Sequence, residues 1–214
     1  MIRLFKNYFT HKHPARRAEL DEVRRRDEAN RLLTIHAIPD RPTFAKIFEA
    51  VNAATGPDDV CIVANADISF DETIALAEQM QHDEAYALAR WDDTESGLVL
   101  FADKAGKPRY DATDAWIFKG PIRQYAIDNA KYMQGQRGAD NNLGAVLGDA
   151  GYRVSNPALS IKCIHLHRTE IRNHGMAVGK PYLCIPPHAL GETPELRWNR
   201  EEKRREEEHR TAYV

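Results

Sequence analysis

VCIVANADISFDETIALAEQMQ, residues 60–81, decides how the rest of the chain is read. VCIVAN is a short apolar run preceded by the turn signal GPDD, which predicts a buried strand, and DETIALAEQMQ predicts a helix beginning just after it. Asn65 and Asp67 sit where the strand meets polar sequence. In open α/β sheets, ligands gather at the carboxyl ends of strands. Spaced i and i+2, the two side chains can face one way and offer hard oxygen ligands to a divalent cation, which would in turn hold a diphosphate. Asn and Asp are also ordinary turn residues, so on residue type alone the pair fits both roles.

Upstream the pattern repeats. RLLTIHAI, residues 31–38, is a β-rich apolar run, and after Pro42 the residues Phe44, Ile47, Phe48 and Val51 follow helical spacing. Strand, helix, strand, helix predicts an α/β sheet. Further upstream, PARRAELDEVRRRDEAN (residues 14–30) predicts a helix on the surface that supplies little core, its large apolar residues being Leu20 and Val23. Downstream, AYALARW, GLVLFA and TDAWIFKG are β-rich pieces suited to hairpin-like or mixed pairing. DNNLGAVLGDAG predicts a helix ending near Gly151, and YRVSNPALSIKCIHLH predicts one or two extended stretches broken at Asn156-Pro157.

Bulk properties narrow the class. The chain has 214 residues, 43% of them hydrophobic, enough for one sizeable core, and a formal net charge of −2 that supplies no global attraction to nucleic acid or an anionic membrane. Cys61, Cys163 and Cys184 are widely spaced and unpaired in number, indicating neither a disulfide framework nor a zinc knuckle. The N-terminal MIRLFKNYFTHKHPARR has no continuous apolar core or cleavage signal, and no apolar run is long enough to span a bilayer. The expectation is a soluble, cytoplasmic protein with one domain over residues 1–190. Residues 191–214, with the mixed-charge block REEKRREEEHR, are expected to form a charged helix or tail.

Three further features bear on chemistry. IHLH puts His165 and His167 on one face of an extended segment, where two imidazoles suit a transition-type cation; two unrelated histidines would give the same pattern. Asp114 and Trp116 in TDAWIFKG combine a carboxylate with a ring able to stack on a sugar. Asp140 in RGADNNLG stands at a helix start, where an aspartate serves either as a cap or as a catalytic carboxylate.

Taken in order, RPTFAKIFEAVN, VCIVANADISFDETI, ALARWD, DAWIFKGPI and GADNNLGAVLGDAGYRVSNPALSIKCIHLHRTEIR resemble the GT-A type of nucleotide-sugar glycosyltransferase, in particular compact bacterial and phage forms related to family 2. The resemblance covers roughly residues 31–172. It implies a single Rossmann-like GT-A domain with a mixed, mostly parallel central sheet flanked by helices. Asn65-Ala66-Asp67 matches the family's metal-binding DxD, with its first acid replaced by an amide. Asp67 is then the principal ligand of a manganese or magnesium ion, Asn65 a contact to ribose or a metal-bound water, and His165 or His167 a further ligand. Arg90 is expected on the nucleotide-sugar donor, a UDP-sugar by family habit, Asp140 as the catalytic carboxylate, and Asp114, Trp116 and Asn141 beside the acceptor. No counterpart of the family's Gln/Arg-x-x-Arg-Trp motif is present. The acceptor is left open among a glycan, a lipid-linked sugar, a protein and a modified DNA base. A catalytically silent nucleotide-sugar or carbohydrate binding module is the alternative; a nucleotidyltransferase would need a Gly-rich basic loop near its first strand, and the sequence around RLLTIHAIPDRP has none.

Overall fold

The computed structural model describes residues 1–39, 41–169, 171 and 177–192, together with the backbone of 197–198. In chain order the elements are β1 (Ile2–Asn7), α1 (Pro14–Ala29), β2 (Leu33–Ile38), α2 (Phe44–Ala54), β3 (Val60–Ala64), β4 (Ile68–Phe70) and a 3-10 helix (Glu72–Gln79). They continue as β5 (Glu84–Thr94), β6 (Gly97–Leu100), β7 (Thr113–Lys119), α3 (Gln124–Asn129), α4 (Ala139–Asp149), β8 (Arg153–Ser155), β9 (Cys163–His165), β10 (Leu183–Cys184) and β11 (Arg197–Trp198).

The architecture is α/β with a mixed sheet and flanking helices. Among the described residues the main sheet has nine strands, in the order β2-β1-β3-β7-β5-β9-β4, with β6 and β8 also paired to β5. The expected parallel majority is not observed. β1 runs parallel to β2 and β3, and β5 to β8 and β9, but β7 pairs antiparallel with both β3 and β5, and β4 antiparallel with β9. β5 shifts register between Leu88 and Ala89 and past that point takes β9 and β6 as partners. A bulge of this kind bends a strand, so the sheet curls toward a half-barrel rather than lying as a two-layered Rossmann sheet.

Two elements differ from expectation for one reason. β1 lies at the centre of the parallel layer, between β2 and β3, yet the N-terminal sequence did not display it, because Arg3, Lys6 and Asn7 interrupt its apolar residues. Lys6 is fully buried and donates to Asp27 Oδ2 at 2.5 Å and to the Ile68 carbonyl. Likewise α1 is not a mere surface helix. Its buried residues Arg16, Leu20, Val23 and Asp27 form a stripe at helical spacing whose two ends are charged. Tyr8 also donates its hydroxyl to Asp27 Oδ2, at 2.8 Å. Breaking such a buried pair by removing one partner costs about 3–5 kcal/mol, so the pair fastens α1 to β1 despite its polarity.

Elsewhere the local expectations and the structure meet closely. α2 starts where Thr43 accepts from the Lys46 backbone N–H, and its Phe44, Ile47, Phe48 and Val51 are all buried. The segment read as a helix after β4 is a 3-10 helix, capped by Asp71 and burying Ile74 and Ala77 at the three-residue spacing of that form. The apolar core lies on both faces of the sheet, one half under α2, α3 and α4, the other against β4 and the 3-10 helix. No helix among the described residues is long and apolar enough to cross a membrane. Of the charged C-terminal segment, Arg197–Trp198 pair antiparallel with β10. Residues 193–196 and 199–214, on which the helix-or-tail expectation falls, lie outside the described residues.

Candidate metal centre and cleft

A cleft of about 650 Å³ opens where β3 ends. The chain leaves β3 at Ala64 and turns at once, the Ile68 N–H donating to the Asn65 carbonyl at 3.1 Å. Because β4 then pairs antiparallel with β9, with Ile68 opposite His165, the turn carrying Asp67 lies against the IHLH segment. The Leu166 N–H donates to the Asp67 carbonyl at 3.0 Å and fixes that approach. Asp67, His165 and His167 consequently offer one ligand atom each within 4.8 Å of one another. From Asp67 Oδ2, His165 Nε2 is 3.3 Å and His167 Nδ1 3.6 Å away. His165 Nδ1 is 2.8 Å from Asp92 Oδ1, which orients the ring so that Nε2 faces Asp67.

Electrostatics follow from this crowding. Burial alone would raise the Asp67 carboxyl, but the His165 and His167 imidazoles beside it and the nearby Arg16 charge hold it well below the usual carboxylate range. Burial pulls the His165 imidazole down, while its bonds to Asp67 and Asp92 outweigh that and raise it to about 9. Asp92 is lowered, burial opposing and His165 and Arg90 prevailing. Asp140 goes the other way. Burial and the repulsion of Asp114 and Asp67 push its carboxyl well above the ordinary range.

Asp114 stands on β7 directly beside the β3 terminus. Asn65 donates from Nδ2 to Asp114 Oδ1 at 2.9 Å, and its N–H donates to the Asp114 carbonyl at 2.9 Å. Arg90, its guanidinium 3.9 Å over the Phe101 ring, donates to Asp92 Oδ1 at 3.0 Å and approaches Asp114 Oδ2 to 3.5 Å. One chain of contacts thus runs from Asp67 through His165, Asp92, Arg90 and Asp114 to Asn65. Asp140 lines the same cleft from the first turn of α4. It is not the cap of that helix: Gly138 occupies the N-cap, and no side chain caps it.

Of the residues singled out from sequence, Asn65, Asp67, Arg90, Asp114, Asp140, His165 and His167 line the cleft together. Two do not. Trp116 is fully buried, packed edge-on against Phe44 at 5.1 Å, and has no face to offer a sugar. It shares a strand face with Asp114 but lies two residues deeper, under α2. Asn141 is turned away and donates to the Asp111 carbonyl at 2.8 Å, as expected of a residue about 100° round the helix from Asp140. Residues missed from sequence are Arg16, Arg41, Gln134 and Arg137 in the lining, and Asp92 behind His165. Gln134 donates to the Ala64 carbonyl at 2.8 Å and so ties the 131–138 loop to the end of β3. Gly135, at φ +76°, leaves room for Arg41, whose Nη2 a methyl there would meet at 2.7 Å. Asp92 had a legible signal: it sits two residues after Arg90 on a strand, hence on the same face.

The donor set fits a divalent cation. One carboxylate and two imidazoles are the ligand types such ions take, and His167 Nε2 is buried with no hydrogen-bond partner among the described residues. Asn65 Oδ1, Asp114 Oδ2 and Asp140 Oδ1 are likewise buried without a hydrogen-bond partner there. Buried polar groups are rarely left so, and these four lie in one cleft, Asp114 Oδ2 having only the Arg90 guanidinium at 3.5 Å.

No protein-family model matches the chain, and no curated protein does. Among solved structures the chain is similar to a Drosophila β1,4-galactosyltransferase 7 mutant in complex with manganese, UDP-Gal and xylobiose, with a TM-score of 0.44, 11% sequence identity and 92% of each chain covered.

Proposed function

We propose that this chain is a metal-dependent glycosyltransferase that carries a sugar from a nucleoside-diphosphate sugar to an acceptor hydroxyl. The observation that carries the reading is the meeting, in one cleft, of the Asp67, His165 and His167 cluster with a separate raised carboxyl, Asp140. The ordered resemblance of residues 31–172 to GT-A enzymes supports the same reading.

Asp67, His165 and His167 would hold the cation, manganese being favoured over a purely oxygen-loving ion because two of the three ligands are imidazoles. When bound, such a cation neutralises the negative charge that develops on a departing diphosphate. Asp92 keeps His165 in the tautomer that presents Nε2 to the cluster. Asn65 and Arg90 hold Asp114 in place. Asp140, whose raised carboxyl makes its ionised form a stronger base, takes the proton of the acceptor hydroxyl as it attacks. The acceptor is a hydroxyl on a glycan, lipid-linked sugar, protein or modified DNA base.

A panel of nucleotide sugars, assayed for transfer and hydrolysis with Mn²⁺ and again in excess chelator, tests the reading. Sugar release with at least one donor, abolished by the chelator, is expected. Binding of Mn²⁺ and nucleotide without release or transfer from any donor would favour a silent binding module, for which the amide at Asn65 is the motive.

A further inference from the structure

The proposed metal cluster already contains a cation of its own. Arg16 reaches from the first turn of α1 into the cleft and donates from Nη2 to Asp67 Oδ2, the same oxygen that His165 Nε2 and His167 Nδ1 approach. An ionised carboxylate oxygen offers about two acceptor positions, so the Arg16 donor and the two imidazole nitrogens, 3.3 and 3.6 Å away, crowd Oδ2 and leave little room for a further ligand. A divalent cation held by Asp67 and the two imidazoles needs a lone pair on that oxygen and repels a guanidinium beside it.

The remainder of the Arg16 side chain is firmly held. Its Nη1 donates to Glu19 Oε2 at 2.7 Å and to the Leu166 carbonyl at 3.0 Å, and the side chain is 8% exposed. Glu19 in turn accepts from the backbone N–H groups of Arg168 and Thr169, at 2.9 and 2.7 Å. This second set of bonds does not involve Asp67. If Nη2 leaves the carboxylate, the Nη1 side of the fork remains anchored, and the freed edge stays in the cleft with its charge.

Resting on the metal site proposed above, we infer that Arg16 is a resident counter-cation: it yields Asp67 to the divalent ion, and its released Nη2 edge then binds a phosphate oxygen of the donor. The exchange makes diphosphate binding depend on metal binding through this chain's own residue. Such coupling between two ligands typically falls in the range of about 5- to 150-fold.

Calorimetric titration of Mn²⁺ alone into the full chain, as wild type, Arg16→Gln, Arg16→Lys and Asp67→Ala, decides the matter. Arg16→Gln removes the competing charge and is expected to bind Mn²⁺ about tenfold more tightly than wild type, while Arg16→Lys, which keeps the charge, stays within about threefold of it. Inorganic pyrophosphate, titrated into the Mn²⁺-saturated proteins, is expected to bind Arg16→Gln about tenfold more weakly than wild type. Mn²⁺ binding that depends on Asp67 but is no tighter in Arg16→Gln overturns the exchange and leaves the metal site standing. Equal pyrophosphate binding overturns the phosphate contact. A wild type that binds Mn²⁺ no better than Asp67→Ala removes the metal site itself, and the exchange with it. Should Arg16→Gln fail to fold, Arg16→Lys binding Mn²⁺ more than about tenfold tighter than wild type, with its charge retained, would equally overturn the account.

Discussion

Two polar regions of this molecule are built from the same residue types and end in opposite states. At the junction of β8 with the segment before residue 190, Asn156 is completely satisfied: Oδ1 accepts from the Ala89 N–H at 2.9 Å, Nδ2 donates to the Ile185 carbonyl at 2.8 Å, and the backbone N–H donates to His188 Nε2 at 3.0 Å. His188 Nδ1, 2.7 Å from the Ala189 carbonyl, completes the set. In the cleft, by contrast, Asn65, Asp114, Asp140 and His167 each keep a buried polar atom without a hydrogen-bond partner among the described residues. A saturated network spends its polar groups on the scaffold. An unsaturated one keeps them for something that arrives.

Substitutions on the two sides should therefore separate binding from stability. The largest effect is expected from Asp67→Ala: loss of Mn²⁺ binding by at least about a hundredfold, accompanied by a lowered unfolding midpoint because the buried Arg16 and His165 lose their carboxylate partner. An unfolding midpoint that collapses while Mn²⁺ binding survives would assign Asp67 to the scaffold. Next comes Asp140→Asn. Because Gly138 rather than Asp140 is the N-cap of α4, the fold should be untouched, while transfer falls by about a hundredfold or more as the base is lost. Near-normal turnover in that variant would shift the role to Asp114.

Smaller effects follow behind the first layer of residues. Asp92→Asn loosens the hold on His165 and is expected to weaken Mn²⁺ binding by about tenfold, the lower end for partners of metal-ligating histidines; unchanged affinity would show that His165 is oriented without it. His188→Ala is expected to do the reverse of the cleft variants. It leaves the buried Asn156 N–H unpaired and costs about 1–3 kcal/mol in unfolding free energy, read by denaturant titration, with Mn²⁺ affinity within about twofold of wild type.

The sequence displayed the cleft better than the scaffold that holds it. Asn65, Asp67, His165 and His167 could be read because each pair lies within three residues of one chain segment, although Asn65 and Asp67 stand in the turn after β3 and bond in different directions, to Asp114 and to Arg16. Arg16 could not, since it stands in a helix of mixed charge and meets Asp67 only through tertiary packing. β1 escaped notice for the same reason: Lys6 reads as solvent-facing until Asp27, 21 residues away, supplies its partner. Trp116 shows the limit of face arguments, because the period that puts it on the face of Asp114 does not say which of the two lies at the cleft and which beneath α2. The curl of the sheet depends on the bulge in β5, for which AYALARW carries no local signal.

The pH dependence of Mn²⁺ binding tests the metal centre most directly. In the cation-free protein His165 titrates near 9, above its ordinary value, so it keeps its proton through neutrality. That shift stabilises the fold fully below about pH 6.5, and the contribution is lost as pH rises through about 9. Metal binding runs opposite, because the ion must displace the His165 proton. Calorimetry of Mn²⁺ binding from about pH 6.5 to about pH 8.5 is expected to give one ion per chain, with affinity rising by up to about tenfold per unit and proton release visible as buffer-dependent heat. Binding that is absent, or that is indifferent to pH and releases no proton, would contradict the account.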